Sequence, residues 1–207
     1  MYLSRLTLNH SRMAILWVSN PYRVHQRLLI AGGGDQRLLF RTEEGPDSQT
    51  QILVQTHFLP DWERAFADFP VLLKRVECKE FELKLQPGRF YRFRLLANPT
   101  VKKTVERNGE QKKTRLGLVS EDSQTAWLKR KFESAGGEII ACRIIPRGLQ
   151  HSHKNPAKQE NQQTHLAVLF EGVILTREPA RLRQSLEAGI GSAKGFGFGL
   201  LSLAPVR

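Results

Sequence analysis

Apolar and polar residues alternate from Tyr2 to Leu8, which predicts a strand because successive side chains of an extended chain point to opposite faces. From Pro21 to Ile30 the period changes: Val24 and Leu28 fall four apart, on a helix side that can pack inward. Asn20 is a good N-cap, and Pro21 suits the first helical position, whose N–H has no intrahelical partner. After the "AGGGD" turn come strands at Arg37 to Arg41 and Gln51 to Phe58, then a short helix starting near Pro60-Asp61-Trp62. An alternating strand beginning at Lys79 is ended by Pro87-Gly88. The order is β-α-β-β-α-β.

The second half repeats that order. Arg89 to Pro99 is rich in strand-forming aromatics. Ser120 with Glu121-Asp122 opens a helix that runs to Ser134, where Gly136-Gly137 stops it. "EIIACRIIP" and "THLAVLFEGVILT" are apolar β runs, Glu178 to Ala188 a second helix, and "GFGLLSLAP" a last strand. The pattern predicts an α+β chain of two tandem ferredoxin-like (RRM-like) βαββαβ domains, residues 1–87 and 88–207, joined near Pro87-Gly88. Only the element order recurs, and this fold serves many chemistries, so topology alone assigns no function.

Composition sharpens the picture. The chain has 207 residues, 40% of them hydrophobic, enough for a core without disulfide staples. Cys78 and Cys142 lack any CxxC or Cys/His ligand spacing, and are read as buried thiols in a reducing compartment. Lys and Arg number 32 against 20 Asp and Glu, a formal charge of +12, which points to a polyanion, with nucleic acid ahead of a membrane surface. The start "MYLSRLTL" lacks the apolar run of a signal peptide, and no segment approaches about 18 uninterrupted apolar residues. The expectation is a soluble, cytoplasmic protein with no membrane partner.

Candidate chemistry gathers at three places. Tyr22 and His25 stand one turn apart on a face of the first helix, beside the free N–H groups of its N-terminus, with Arg23 and Arg27 adjacent. A proton-handling pair at an anion-attracting position suits acid/base work, against the plain alternative of a surface or core-edge histidine. The string "GIGSAKGFGFGLLSLAP" fails as a dinucleotide fingerprint, because Lys194 occupies the third glycine position, and fails as a phosphate-binding GK[ST] loop. It remains a backbone-exposing loop around Gly191, Lys194, Gly195 and Gly197, suited either to a phosphate chain or to close helix-strand packing. Two polar connections carry the cations: Val101 to Arg115, with Lys102, Lys103 and an Asn108-Gly109 hairpin turn, and Arg147 to Gln163. Hairpin arms around the second, with Arg143, Arg147, Lys154 and Lys158, suit phosphate contact, the alternative being a solvated loop. His151 and His153 have a metal-like spacing without a thiol or carboxylate beside them.

These pieces together resemble the CRISPR-associated CasE endoribonucleases of type I-E (Cascade) systems, in the RAMP superfamily. The resemblance covers essentially the whole chain and rests on "MYLS", "YRVHQ" at Tyr22 to Gln26, "FRLLANP", "AWLKRK", "VLFEG" and the glycine-rich string. It implies two ferredoxin-like domains and cofactor-free, metal-independent cleavage at the 3′ base of a CRISPR repeat stem-loop. In that chemistry the ribose 2′-hydroxyl attacks the adjacent phosphate, leaving a 2′,3′-cyclic phosphate and a 5′-hydroxyl. By the same comparison His25 is the general acid/base and Tyr22 its partner at the reacting ribose or phosphate. The hairpin from Arg143 to Lys158 grips the RNA stem, and Lys194 with its glycines contacts RNA. A further cation found about one turn beyond the histidine in some members corresponds to Ile30, with Arg27 nearer. The implied partners are the repeat hairpin and mature crRNA product, which the enzyme keeps, and other Cascade subunits. The rival function is a catalytically silent subunit that binds structured RNA; a weaker one is a basic ribosome-associated factor.

Overall fold

The computed structural model describes residues 1–34, 36–107, 110–153 and 162–206. They form two compact units, each treated separately: residues 1–84 with 151–164 and 193–200, and residues 85–150 with 165–192 and 201–207. Two segments of the second half of the chain, 151–164 and 193–200, thus pack with the first half.

In the first unit, β1 (Tyr2–Thr7) leads to α1 (Arg12–Val18) and α2 (Pro21–Ile30), followed by β2 (Leu38–Glu44), β3 (Thr50–Thr56), α3 (Trp62–Phe66) and β4 (Glu77–Glu80). The sheet order is β2-β3-β1-β4, antiparallel throughout, the split βαβ topology of a ferredoxin-like fold. Leu6, Ile52 and Val54 from the sheet meet Val24 and Leu28 from α2, all fully buried. The alternation beginning at Lys79 yields strand only to Glu80. That strand pairs with Tyr2 to Arg5, and the Phe81 N–H next to it donates to the Met1 carbonyl.

No periodicity marks residues 9–19, whereas the structure folds α1 there, with the Ser11 side chain capping the Ala14 N–H at 3.2 Å. Trp17 anchors this helix: its indole N–H donates to the Arg23 carbonyl at 3.2 Å, and its ring packs edge-on to Phe66 and Phe69.

The second unit is built from β5 (Phe90–Ala97), the hairpin β6 (Thr100–Arg107) and β7 (Glu110–Gly117), α4 (Glu121–Ser134), β8 (Gly137–His153), β9 (Gln162–Thr176), α5 (Pro179–Ala188) and β10 (Leu201–Pro205). Its main sheet runs β10-β5-β9-β8, the same topology with the β6/β7 hairpin inserted after the first strand. Phe93, Leu95, Phe170 and Ile174 of the sheet pack against Trp127, Leu128, Phe132 and Leu182 of the helices. Both halves are therefore ferredoxin-like. In its described residues the polar connection expected between β8 and β9 is strand: β8 continues to His153 and β9 begins at Gln162. The ends of these two strands, from His151 on and up to Thr164, belong to the first unit.

The cysteines are not buried. Cys78 lies on β4 and Cys142 on β8, and both are exposed free thiols; each strand is at the edge of its sheet, where cover on that side is lacking. Burial of the sulfur within that exposed residue still pushes the Cys142 thiol up to about 11. Among the described residues no helix is long and apolar enough to cross a membrane.

Candidate active site

The site in the first unit starts from the local chemistry of α2. Asn20 holds extended backbone (φ −117°, ψ 95°), and its side-chain oxygen accepts from the Tyr22 N–H at 3.3 Å, so the helix begins at Pro21. Because Val24 and Leu28 are drawn into the core, Tyr22 and Gln26 face away from it, and His25 stands on the flank between the two sides. The Gln26 amide donates to the Tyr22 hydroxyl oxygen at 2.9 Å, an i,i+4 contact that fixes the phenol and leaves its O–H to act as a donor.

His25 is half-buried. Its ring stacks near-parallel to Phe40 of β2, with centroids 6.0 Å apart and planes 20° from each other. Among the described residues the imidazole makes no hydrogen bond or ion pair. Burial alone holds its pKa below the ordinary histidine value, since removal from water penalises the charged ring. The ring is therefore neutral and keeps a lone pair at neutral pH.

The glycine-rich loop meets this ring from the far end of the sequence. Ala193 takes left-handed backbone (φ 61°), a single 3-10 turn covers Lys194–Phe196, and Gly197 takes φ 86°. A side chain at Gly195 would place its Cβ 3.4, 3.5 and 3.7 Å from Cε1, Nδ1 and Nε2 of His25. Three such similar distances put that point over the ring face rather than at its edge, so the in-plane directions of both nitrogens are unobstructed by it. Gly197 approaches Phe40 in the same way, its would-be Cβ 3.2 Å from the Phe40 ring. Phe196 stacks on Tyr22, with centroids 6.5 Å apart and planes at 30°. Behind the loop, buried Arg41 of β2 donates from Nη1 to the Leu200 carbonyl at 3.1 Å and pairs with Glu43 at 3.0 Å.

The sequence-predicted residues divide as follows. His25, Tyr22, Lys194, Gly195 and Gly197 come together in the first unit, with Lys194 half-buried at the turn. Arg23 is exposed on α2. The Arg27 guanidinium is committed elsewhere: it donates to the Asp68 carboxylate at 2.8 Å and the Ala65 carbonyl at 3.1 Å, and lies 4.5 Å from the Phe69 ring centroid. That pairing holds the Asp68 carboxyl below the usual range. Lys102, Lys103, Arg143 and Arg147 are exposed on β6 and β8 of the second unit. Gly191 (φ 91°) also belongs there and packs on Trp127, its would-be Cβ 3.2 Å from the ring. Lys154, Lys158 and the Asn108-Gly109 turn lie outside the described residues. Nδ1 of His151 is 3.1 Å from the Thr164 hydroxyl, whereas His153 is engaged through its backbone with Asn20.

Sequence reasoning missed Phe40, Phe196 and Arg41. Phe196 lay inside a string already singled out; Phe40 and Arg41 carry no local signal, because only the folded sheet brings them to the ring and the loop.

Residues 1–205 match the family model described as CRISPR associated protein. The chain is 33% identical to the CRISPR-associated endoribonuclease Cse3 of Thermus thermophilus, over 99% of this chain and 100% of the relative. It is 32% identical to the CRISPR system Cascade subunit CasE of Escherichia coli K12, with 100% of both chains covered. A solved structure of the CRISPR endoribonuclease Cse3 bound to 19 nt RNA superposes with a TM-score of 0.82 at 32% identity, covering 99% of this chain and 100% of that one.

Proposed function

The chain belongs to the CRISPR-associated protein family, in its Cse3/CasE branch, and from that premise we propose that it is the endoribonuclease that cuts CRISPR precursor RNA at the 3′ base of the repeat stem-loop. The observation that carries the reading is the meeting of a neutral, half-buried imidazole with a phenol and a glycine-rich turn drawn from opposite ends of the chain.

The chemistry is internal transesterification. Neutral His25 takes the proton of the ribose 2′-hydroxyl as that oxygen attacks phosphorus. The bond from phosphorus to the 5′-oxygen breaks, the leaving oxygen takes a proton from water, and the hydroxide so formed takes the proton held by His25, which restores the neutral ring. The products are a 2′,3′-cyclic phosphate and a 5′-hydroxyl, with atoms and charge balanced and no metal or cofactor assigned a step. Tyr22, its oxygen already accepting from Gln26, donates its O–H to a phosphate oxygen. The N–H groups at the start of α2 and the cation of Lys194 favour the charge that builds there. Lys102, Lys103, Arg143 and Arg147 follow RNA phosphates, together with Lys154, Lys158 and Arg23, whereas Arg27 stays with Asp68; a strongly basic surface slows release of the hairpin product. The bound product then carries the protein into a Cascade assembly with its other subunits. It works in the cytoplasm, where the transcripts are.

The test uses a hairpin RNA with the repeat sequence of the same genome's CRISPR array, incubated in EDTA, beside the same hairpin with one 2′-deoxy sugar at the cut. Cleavage of the first alone is expected; cleavage of both, or of neither, overturns the mechanism. His25→Ala is expected to bind the hairpin and cut it at least a hundredfold more slowly, general acid–base groups contributing roughly 10²–10⁴-fold. An unchanged rate in that variant assigns the reaction to another group.

A further inference from the structure

Asn20 does more than its capping role requires. As an N-cap, Asn ranks with Asp and Ser, because each supplies an oxygen to the first turn. Here the same side chain also reaches the main chain of His153 at the end of β8: its amide donates to the His153 carbonyl at 2.9 Å, and its oxygen lies 3.4 Å from the His153 N–H. One amide thus acts as a peptide-like partner for the strand end while its oxygen starts α2 two residues before Tyr22. Ser cannot span the distance, and Asp lacks the donor and would set a carboxylate against a carbonyl oxygen. The contact is sheltered, with Asn20 9% exposed and the neighbouring Ser152 2% exposed, so water does not readily replace a lost bond.

We infer that Asn20 is a positioning residue for RNA cleavage, which fastens the start of the helix carrying Tyr22 and His25 to the end of the β8 strand. This rests on the nuclease reading above. Along the sequence, β8 carries Arg143 and Arg147 before it ends at His153, and the basic connection with Lys154 and Lys158 follows directly. Within the first unit, the end of that strand and the helix assigned to the chemistry are therefore joined by the Asn20 side chain. Without the amide donor the helix still starts at Pro21, but its outward face loses a fixed reference to the strand.

The variants Asn20→Ser and Asn20→Asp keep an oxygen for the cap and remove the donor. Circular dichroism checks that helix content is kept. For the repeat hairpin, dissociation constants within about twofold of wild type are expected, with single-turnover cleavage roughly tenfold slower, the size of one lost hydrogen bond felt at the reacting groups. Amide hydrogen exchange, read without RNA, is expected to speed at 151–153 and to stay unchanged at 24–30. Wild-type cleavage rates in both variants, or unchanged exchange at 151–153, overturns the inference and leaves the nuclease reading standing. Wild-type protein that leaves the hairpin uncut sinks the nuclease reading and this inference with it, whatever the exchange data show.

Discussion

Gly197→Ala tests how the glycine-rich loop supports the histidine. Gly197 has φ 86°, and a Cβ there falls 3.2 Å from the Phe40 ring, with further ring atoms at 3.6 and 3.7 Å. Left-handed backbone costs an L-residue about 1–2 kcal/mol. The contact adds to it, because Phe40 is 1% exposed and a packed core ring shifts by a few tenths of an ångström only against its neighbours; overpacking typically costs about 1–3 kcal/mol. The two contributions overlap as the loop relaxes, so a loss of about 2–3 kcal/mol is expected. Gly195→Ala is the internal control. Its backbone is not left-handed, and its nearest approach is an ordinary 3.4 Å to the imidazole, so stability should move by no more than about 1 kcal/mol, in the stabilising direction if the unfolded chain is stiffened. Urea titration gives both values from the shift in midpoint at unchanged slope. Since Phe40 is the ring on which His25 stacks, Gly197→Ala should also slow single-turnover cleavage under conditions where it stays folded. If Gly197→Ala unfolds at the wild-type urea concentration, or the two variants lose equal stability, the loop is not held against Phe40 as described.

Burial depresses the His25 pKa, so the neutral base persists to lower pH, and the acid limb of the kcat/KM profile should have its midpoint below the ordinary histidine value of about 6.5; a midpoint at or above it removes the burial argument. The same depression makes the unfolded chain bind a proton before the folded one as pH falls below about 6.5, so that share of stability is complete above this window and lost through it. His25→Ala should lessen the slope of the stability profile there, and the slope that remains comes in part from His165, whose pKa burial also depresses. Arg41→Ala strips a buried partner from Glu43 and the Leu200 carbonyl and is expected to cost about 3–5 kcal/mol in urea, whereas Arg41→Met with Glu43→Met removes both charges and should recover most of the loss; a single-variant cost under about 1 kcal/mol refutes the tether.

The elements that were legible in sequence are those whose signals are local. Asn20-Pro21 with Val24 and Leu28 predicts α2 over Pro21–Ile30, the span observed, because capping and periodicity agree. The run Met13 to Val18 is apolar throughout and has no helical period, so α1 was invisible, and it leaves Ile15 and Leu16 exposed. Polar residues on both faces hid the far half of β8, whose pairing is set by its neighbour strand rather than by burial. At the site, Tyr22, His25 and the glycine string were readable as residue types in suggestive places. Their supports were not: Phe40 under the imidazole, Phe196 on the phenol and His153 on Asn20 are meetings of distant segments, and no window of sequence records them.

Residues 193–200 complete a unit begun by residues 1–84, which has a consequence during synthesis. His25 leaves the ribosome early, but the turn that comes to rest on its ring is translated much later. A growing chain therefore carries its imidazole without the finished pocket, and nuclease activity should switch on only after residues 193–200 have been made and have folded back.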